Sequence, residues 1–321
     1  MATRNTAEKW LEITAEGPQR GKDIAAALLI EGGSPGVAEE TDGKAENRLV
    51  SVSSWEEEKT AEEPYGHGAK AAFKAYLPIG AGEKAAHLKK ELKRIGWTLT
   101  AEPFKDDNDW TEKWKTGLKP VRVSFKGICV LVKPSWSKAA MKTGDKVVEI
   151  DPGMAFGTGG HETTKMCLRA LLRLLKDKKR KGLYSALLDV GTGTGVLAIA
   201  AMKLGVKKAV GTEIDSVALK VARKNAATNK AKITLTGLTP SRVRGRFPIV
   251  IANILAPELK RLAPELVSKM EDGGFLILSG ILAPESGAVE QSYTALGLKP
   301  FRRYRDGDWA ALVLEKPAGN R

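Results

Sequence analysis

Leu187-Leu188-Asp189-Val190-Gly191-Thr192-Gly193-Thr194-Gly195 decides the fold: an apolar strand, a glycine-rich turn, and a helix that opens at Val196. Glycine reaches backbone conformations closed to other residues and puts no Cβ between the chain and a bound molecule. In a doubly wound sheet, ligands lie beyond the carboxyl ends of the strands, which is where this turn falls. The spacing is G-x-G-x-G. Val196 stands where the dinucleotide fingerprint needs its third glycine, and Asp189 precedes the turn. That combination fits S-adenosylmethionine better than NAD.

Working outward toward the C-terminus, helices alternate with apolar strands. Strands are expected at 185–190, 209–213, 233–236, 248–252 and 274–279, and helices at 163–175, 196–204, 216–229 and 257–270. Strands joined by helices predict a parallel, doubly wound α/β sheet. The second strand ends in Glu213, 22 residues after Gly191, where a carboxylate can accept hydrogen bonds from both hydroxyls of a ribose. Asp215 is an alternative for that role, or a helix cap.

Two further stretches carry candidate chemistry. Asp151-Pro152-Gly153-Met154-Ala155-Phe156-Gly157-Thr158-Gly159-Gly160-His161-Glu162-Thr163-Thr164 has four glycines, as suits a loop that wraps a ligand. Thr163 and Thr164 fall in a first helical turn, where N–H groups are unpaired. His161 is a candidate general base or, more simply, a loop-orienting residue. Farther on, Asn253 places an amide where the apolar strand 248–252 ends. A buried amide there needs partners. It stands beside the Gly191 turn, where a methyl acceptor would lie, although an Asx turn or a cap before Pro257 would also place it there.

Working outward toward the N-terminus, residues 1–105 read as β-α-β-β-α-β, the order of a ferredoxin-like domain. The expected strands include Trp10, Leu11 and Ile13, then 48–54, 72–77 and 97–104, with helices at 23–30 and 83–95. Residues 106–150 read as a connecting region that carries Trp110, Trp114, Trp136 and an apolar run at 128–132. Trp110 and Trp114, four apart, would share a helix face.

Composition excludes several classes. The apolar runs are far shorter than the ~20 residues of a membrane helix, and no basic start with an apolar core marks a secretory signal, so a cytoplasmic protein is expected. Two cysteines and three histidines give no disulfide framework and leave little for metal chemistry. The formal net charge is +14, and it is unevenly spread: 24 basic against 23 acidic residues in 1–150, but 28 against 15 in 151–321. The basic clusters at 176–181, at Lys203, Lys207 and Lys208, and at Arg242, Arg244 and Arg246 all precede expected parallel strands. That places them opposite the ligand end. They read as a solvated face or as a weak contact to ribosomal RNA.

Taken together, the loop 151–164, the turn 189–195, Glu213 and Asn253-Ile254-Leu255 resemble the PrmA family of ribosomal protein L11 methyltransferases. The segments Asp109-Trp110 to Lys115 and Val121-Arg122 through Pro134-Ser135-Trp136 are similar to that family's linker, and the N-terminal pattern to its substrate-recognition domain. The resemblance implies a Rossmann-like class I methyltransferase core at 151–321, a substrate domain at 1–105 and a linker at 106–150. It implies S-adenosylmethionine contacts at Thr164, Gly191, Glu213 and Asn253. Asp189, Gly193 and Phe156 are further candidates from the two glycine-rich segments. The implied reaction methylates lysine side chains and the N-terminal amine of a large-subunit ribosomal protein, with Asn253 as the catalytic candidate, no metal and a monomeric enzyme. The chain departs from the family pattern at Gly160, Glu162 and Glu213, where Thr, Pro and Asp are usual. An RNA base methyltransferase on the same core, and a non-catalytic binding module, are the rival readings.

Overall fold

The computed structural model describes residues 10–18, 21–32, 34, 37–40, 70–78, 82–103, 119–151, 159–177 and 184–319. They fall into two compact units, with the second taking the residues from 119 onward. The expected strand 48–54, Trp110, Trp114, Phe156 and the basic residues 178–181 lie outside the described residues.

The first unit runs β1 (Trp10–Pro18), α1 (Lys22–Glu31), β2 (Val37–Glu40), β3 (Lys70–Pro78), α2 (Gly82–Arg94) and β4 (Thr98–Pro103). Its sheet order is β2-β3-β1-β4, with every neighbour antiparallel. This is the ferredoxin-like arrangement. The second strand among the described residues is Val37–Glu40. It lies at the sheet edge, where one row of backbone bonds suffices and side-chain periodicity carries little signal over four residues. Alternate residues of β1 and β3 bury Ile13, Ala15, Phe73, Ala75 and Leu77 beneath Leu29, Leu88 and Leu92. Trp97 closes this core by stacking on Phe73 with ring centroids 5.5 Å apart. Gly17 admits that indole, because a Cβ there would lie 2.5 Å from Trp97 Cδ1.

The second unit opens with a small sheet, β5 (Val121–Phe125), β6 (Ile128–Lys133) and β7 (Lys146–Glu149). A two-residue hairpin at Lys126 and Gly127, both with positive φ, joins β5 to β6. Val123, Val130, Val132, Val148 and Ile150 from this part share one core with the following helices. Residues 119–150, read from sequence as connection, are therefore packed structure of the second unit. The Arg122–Asp145 ion pair (2.7 Å) ties β5 to the turn before β7, and both side chains are largely buried.

Next come α3 (Glu162–Leu175), β8 (Ala186–Val190), α4 (Val196–Lys203), β9 (Lys208–Thr212), α5 (Ser216–Thr228), β10 (Ile233–Thr236), β11 (Phe247–Asn253), α6 (Ala256–Ser268) and β12 (Met270–Leu282). The sheet order is β10-β9-β8-β11-β12-β14-β13, closed by α7 (Ser286–Thr294), β13 (Lys299–Asp306) and β14 (Trp309–Glu315). Strands β10, β9, β8, β11 and β12 pair in parallel, as the helix–strand alternation requires. β14 is antiparallel to both β12 and β13, so the sheet is mixed at this edge rather than wholly parallel. A tight turn of Gly307 and Asp308 between β13 and β14 forces that reversal, since a parallel return needs a longer crossover. The centre of the sheet is covered on both faces: Leu187, Ile249, Ile251 and Ile277 face one core, while Leu188, Val250, Leu276 and Leu278 face the other.

Candidate active site

The site forms where β8, β9 and β11 end. Asp189 is the fourth residue of β8 and is almost fully buried, at 1% exposure. Its Oδ2 accepts from Thr192 Oγ1 (2.6 Å) and from Ala198 N (3.2 Å), tying the strand end to the turn and to the first turn of α4. Burial, only partly offset by these two donors, raises its pKa from 3.8 to about 6. A carboxyl raised in the folded state stabilises the fold below its unfolded pKa, and that contribution is lost as pH rises through the folded value. For Asp189 the loss spans roughly pH 4 to 6 and is on the order of 3 kcal/mol. Asp189→Asn, which keeps an acceptor for Thr192 and Ala198, is therefore expected to raise the melting temperature at pH 7.5 and flatten its pH dependence in this window. Calorimetry across pH checks both effects.

Gly191, Gly193 and Gly195 all have positive φ (67°, 53° and 84°), so the turn needs glycine in fact as well as in pattern. A Cβ on Gly191 would also lie 2.6 Å from Ile254 Cγ2. The turn thus abuts the segment that follows Asn253. Glu213 emerges directly after β9 and reaches back, with its Oε2 accepting from Gly193 N (2.9 Å) and its Oε1 from Asp215 N (3.1 Å). Each carboxylate oxygen keeps a further lone pair for an incoming donor. Asp215 is the helix cap of the two alternatives, accepting from Val217 N at 2.8 Å. Ile214 beside Glu213 is 84% exposed, a large apolar side chain at the rim of the site that the sequence reading passed over.

Asn253 ends β11 but does not cap α6, whose N-cap is Leu255 with no side-chain bond. Instead its Nδ2 points to Thr164 Oγ1 at 3.5 Å, and its Oδ1 is buried with no hydrogen-bond partner. A buried acceptor left unpaired is costly, and it marks a place where a donor from outside the chain fits. Thr164 itself is fully buried in the first turn of α3. His161 is the N-cap of that helix: its Nδ1 accepts from Thr163 N (3.3 Å) and lies 2.8 Å from Thr163 Oγ1. The ring meets Trp309 edge-on with centroids 5.0 Å apart, and the Trp309 indole N–H is likewise buried without a partner.

Sequence reasoning missed the brace beneath these residues. Asn225, on α5, donates through Nδ2 to Thr194 O (2.9 Å), and its Oδ1 accepts from Asp151 N (3.0 Å). Asn229, one turn on, accepts from Glu149 N and donates to Glu149 O. The glycine turn and the start of the 151–160 segment are held by one helix face. The signal was present as two asparagines at i and i+4, a spacing that shares a face.

The residues fit S-adenosylmethionine. Glu213 offers a carboxylate at a strand end, the glycine turn approaches without side chains, and Asn253 holds an unsatisfied acceptor. Among the described residues, no group of three His, Cys, Asp or Glu is placed to hold a metal ion.

A family model described as ribosomal protein L11 methyltransferase (PrmA) matches residues 9–317. The ribosomal protein L11 methyltransferase of Geotalea uraniireducens is 37% identical over 321 residues, covering 94% of this chain and 96% of that one. The protein of the same name from Pelotomaculum thermopropionicum is 37% identical over 316 residues, covering 95% and 98%. The crystal structure of ribosomal protein L11 methylase from Lactobacillus delbrueckii subsp. bulgaricus superimposes with a TM-score of 0.54 at 30% identity, covering 61% of this chain and 98% of that one. With a match that takes in both units and a glycine turn, acidic strand end and terminal asparagine at the ends of β8, β9 and β11, the chain belongs to the PrmA family of ribosomal protein L11 methyltransferases.

Proposed function

We propose that this chain transfers methyl groups from S-adenosylmethionine to ribosomal protein L11, on lysine side chains and on the N-terminal amine. The observation that carries the reading is the buried, unpaired Asn253 Oδ1 beside the Gly191 turn. Family membership supports the acceptor protein. Membership reaching into the first unit disfavours the RNA base methyltransferase reading.

Glu213 would hold the ribose hydroxyls, Gly191 and Gly193 would let the backbone approach the cofactor, and exposed Ile214 would offer an apolar surface to its adenine. Asp189 shapes the turn from below, because both donors to its Oδ2 come from the chain itself. Thr164 fixes the Asn253 amide. When bound, S-adenosylmethionine supplies a sulfonium-activated methyl group. The protein's task is then to present a neutral amine in line with it. A lysine amine has a pKa near 10.4 in water, and exclusion of water lowers it by disfavouring the charged form. Asn253 Oδ1 accepts one N–H of the neutral amine and so aims its lone pair. The transfer rate accordingly rises with pH through the neutral-to-alkaline range.

No indispensable general base is needed. His161 Nδ1 is committed to the start of α3, so His161→Ala is expected to cost less than about tenfold in kcat/KM. Glu213→Ala should weaken cofactor affinity about 10- to 100-fold, the scale of one or two charged hydrogen bonds. Calorimetric titration with S-adenosylhomocysteine and a transfer assay separate the two effects. Abolished transfer in His161→Ala with cofactor binding intact would overturn the base-free scheme. Mass spectrometry of L11 after reaction tests the acceptor groups, with methyl increments expected on lysine-bearing peptides and on the N-terminal peptide. We further read the enzyme as a monomer of the cytoplasm; no helix among the described residues is long and apolar enough to cross a membrane.

A further inference from the structure

At the opposite end of α3 from Thr164, about 14 Å along the helix axis, a cleft of about 380 Å³ opens between the β5–β6 hairpin, the end of α3 and β13. Lys126, Arg173, Lys176 and Arg302 line it, against one carboxylate, Asp177. Its remaining walls are apolar, with the aromatic rings of Phe125, Phe301 and Tyr304 beside Ala170, Leu174 and Val313. The Arg173 guanidinium lies over the Phe125 ring at 4.8 Å, and Lys126 Nζ over the same ring at 5.4 Å. Phe301 remains 43% exposed although it touches Phe275 edge-on.

Two observations favour an anionic ligand at this cleft. Arg173 Nε is buried with no hydrogen-bond partner, although a guanidinium donor removed from water normally finds an acceptor. One turn earlier on α3, burial and then the charge of Arg173 depress the pKa of Arg169, and the opposing effects of Tyr304 and Asp306 do not cancel them. A ligand that supplies phosphate oxygens and flat rings together satisfies both the guanidinium and the aromatic walls. The volume is at the lower end of the range for small-ligand pockets, about 300–1,000 Å³, which suits one nucleotide rather than a folded motif.

We propose that this cleft binds single-stranded RNA, seating one nucleotide with its phosphate on Arg173 and Lys176 and its base against Phe301. Base–aromatic stacking beside a cationic groove is the common means of holding single strands without sequence readout. Because the cleft and the methyl-transfer site lie at opposite ends of α3, RNA can be held while L11 is modified. This inference does not depend on the identity of the methyl acceptor.

The test uses the full chain, a fluorescently labelled single-stranded RNA decamer and, for comparison, polyglutamate of similar charge. Micromolar or tighter RNA binding is expected at about 50 mM salt, falling steeply as salt rises. Lys126→Asn tolerates the positive φ of that position and, combined with Lys176→Gln, should weaken RNA binding at least tenfold and flatten the salt dependence. Phe301→Ala should weaken RNA binding several-fold and leave polyglutamate binding unchanged, because only a base has a ring to stack. Methyl transfer to free L11 should persist in all three substitutions, which separates failure here from failure of the enzymatic reading. No RNA binding by the wild-type chain, unchanged affinity in the double variant, or equal binding of polyglutamate would each overturn the proposal.

Discussion

Asn253→Ala is expected to lower kcat/KM for L11 methylation by about 100-fold or more while the protein stays folded. The activity loss follows from alignment: a reacting group misplaced by about 1 Å commonly costs on that order, and the buried, unpaired Asn253 Oδ1 is the acceptor proposed to aim the amine. Stability should change by only ~0–1 kcal/mol. The substitution removes an acceptor that has no partner and one long contact, the 3.5 Å approach to Thr164 Oγ1. The expected signature is therefore a large kinetic effect with a near-native melting temperature. Steady-state transfer kinetics beside a thermal melt check it. Activity within tenfold of wild type would remove Asn253 from the catalytic role.

Gly280→Ala should be the most destabilising small substitution near the site. Ser279 pairs in register with Asn253, and Gly280, the next residue along β12, has φ +81°. A Cβ there would overlap Ile254 O and lie 2.8 Å from its carbonyl carbon and 3.1 Å from its amide nitrogen. These are backbone atoms, so relief requires moving the Asn253-Ile254 segment itself. Left-handed strain of about 1–2 kcal/mol and overpacking of 1–3 kcal/mol together give roughly 3 kcal/mol, or a melting temperature lower by roughly 6–12 °C. Gly273→Ala is the control: its φ is also positive, at +75°, but a Cβ there meets nothing. It should lose about 1–2 kcal/mol, the strain alone. Equal losses in the two variants would show that Gly280 is needed for its conformation and not for the close approach to Ile254. Gly280→Ala should also lower transfer more than its stability loss explains, since it displaces the residue proposed to orient the amine.

Much of the second unit was legible in the sequence because long apolar strands and amphipathic helices leave strong periodic signals. The strand ends at Val190, Thr212 and Asn253 stand within a residue or so of where the pattern put them. Glu213 and Asn253 stood out as candidates because a charged or amide side chain at the end of an apolar run demands a reason. The antiparallel β14 was not legible. Its run Ala310-Ala311-Leu312-Val313-Leu314 is as apolar as that of any buried strand, and direction within a sheet is set by the Gly307-Asp308 turn rather than by the strand's own residues. Gly280 was hidden for a different reason: its requirement is the nearness of Ile254, 26 residues earlier, which no local pattern encodes. The packed role of residues 119–150 was likewise missed, because Val130, Val132 and Val148 find their partners on helices far along the chain. The Asn225–Asn229 brace was legible as spacing but not as function, since its partners, Thr194, Asp151 and Glu149, are on other elements.

The central claim is that a ribosomal protein accepts the methyl group. Its most direct test is transfer of label from methyl-labelled S-adenosylmethionine into a lysate of unmodified ribosomes and free ribosomal proteins, separated into protein and RNA fractions. The predicted result is label in one small protein that survives nuclease, runs with L11 and is lost with Asn253→Ala enzyme. Label in the RNA fraction, removed by nuclease, would contradict it and make the basic end of the sheet a substrate platform.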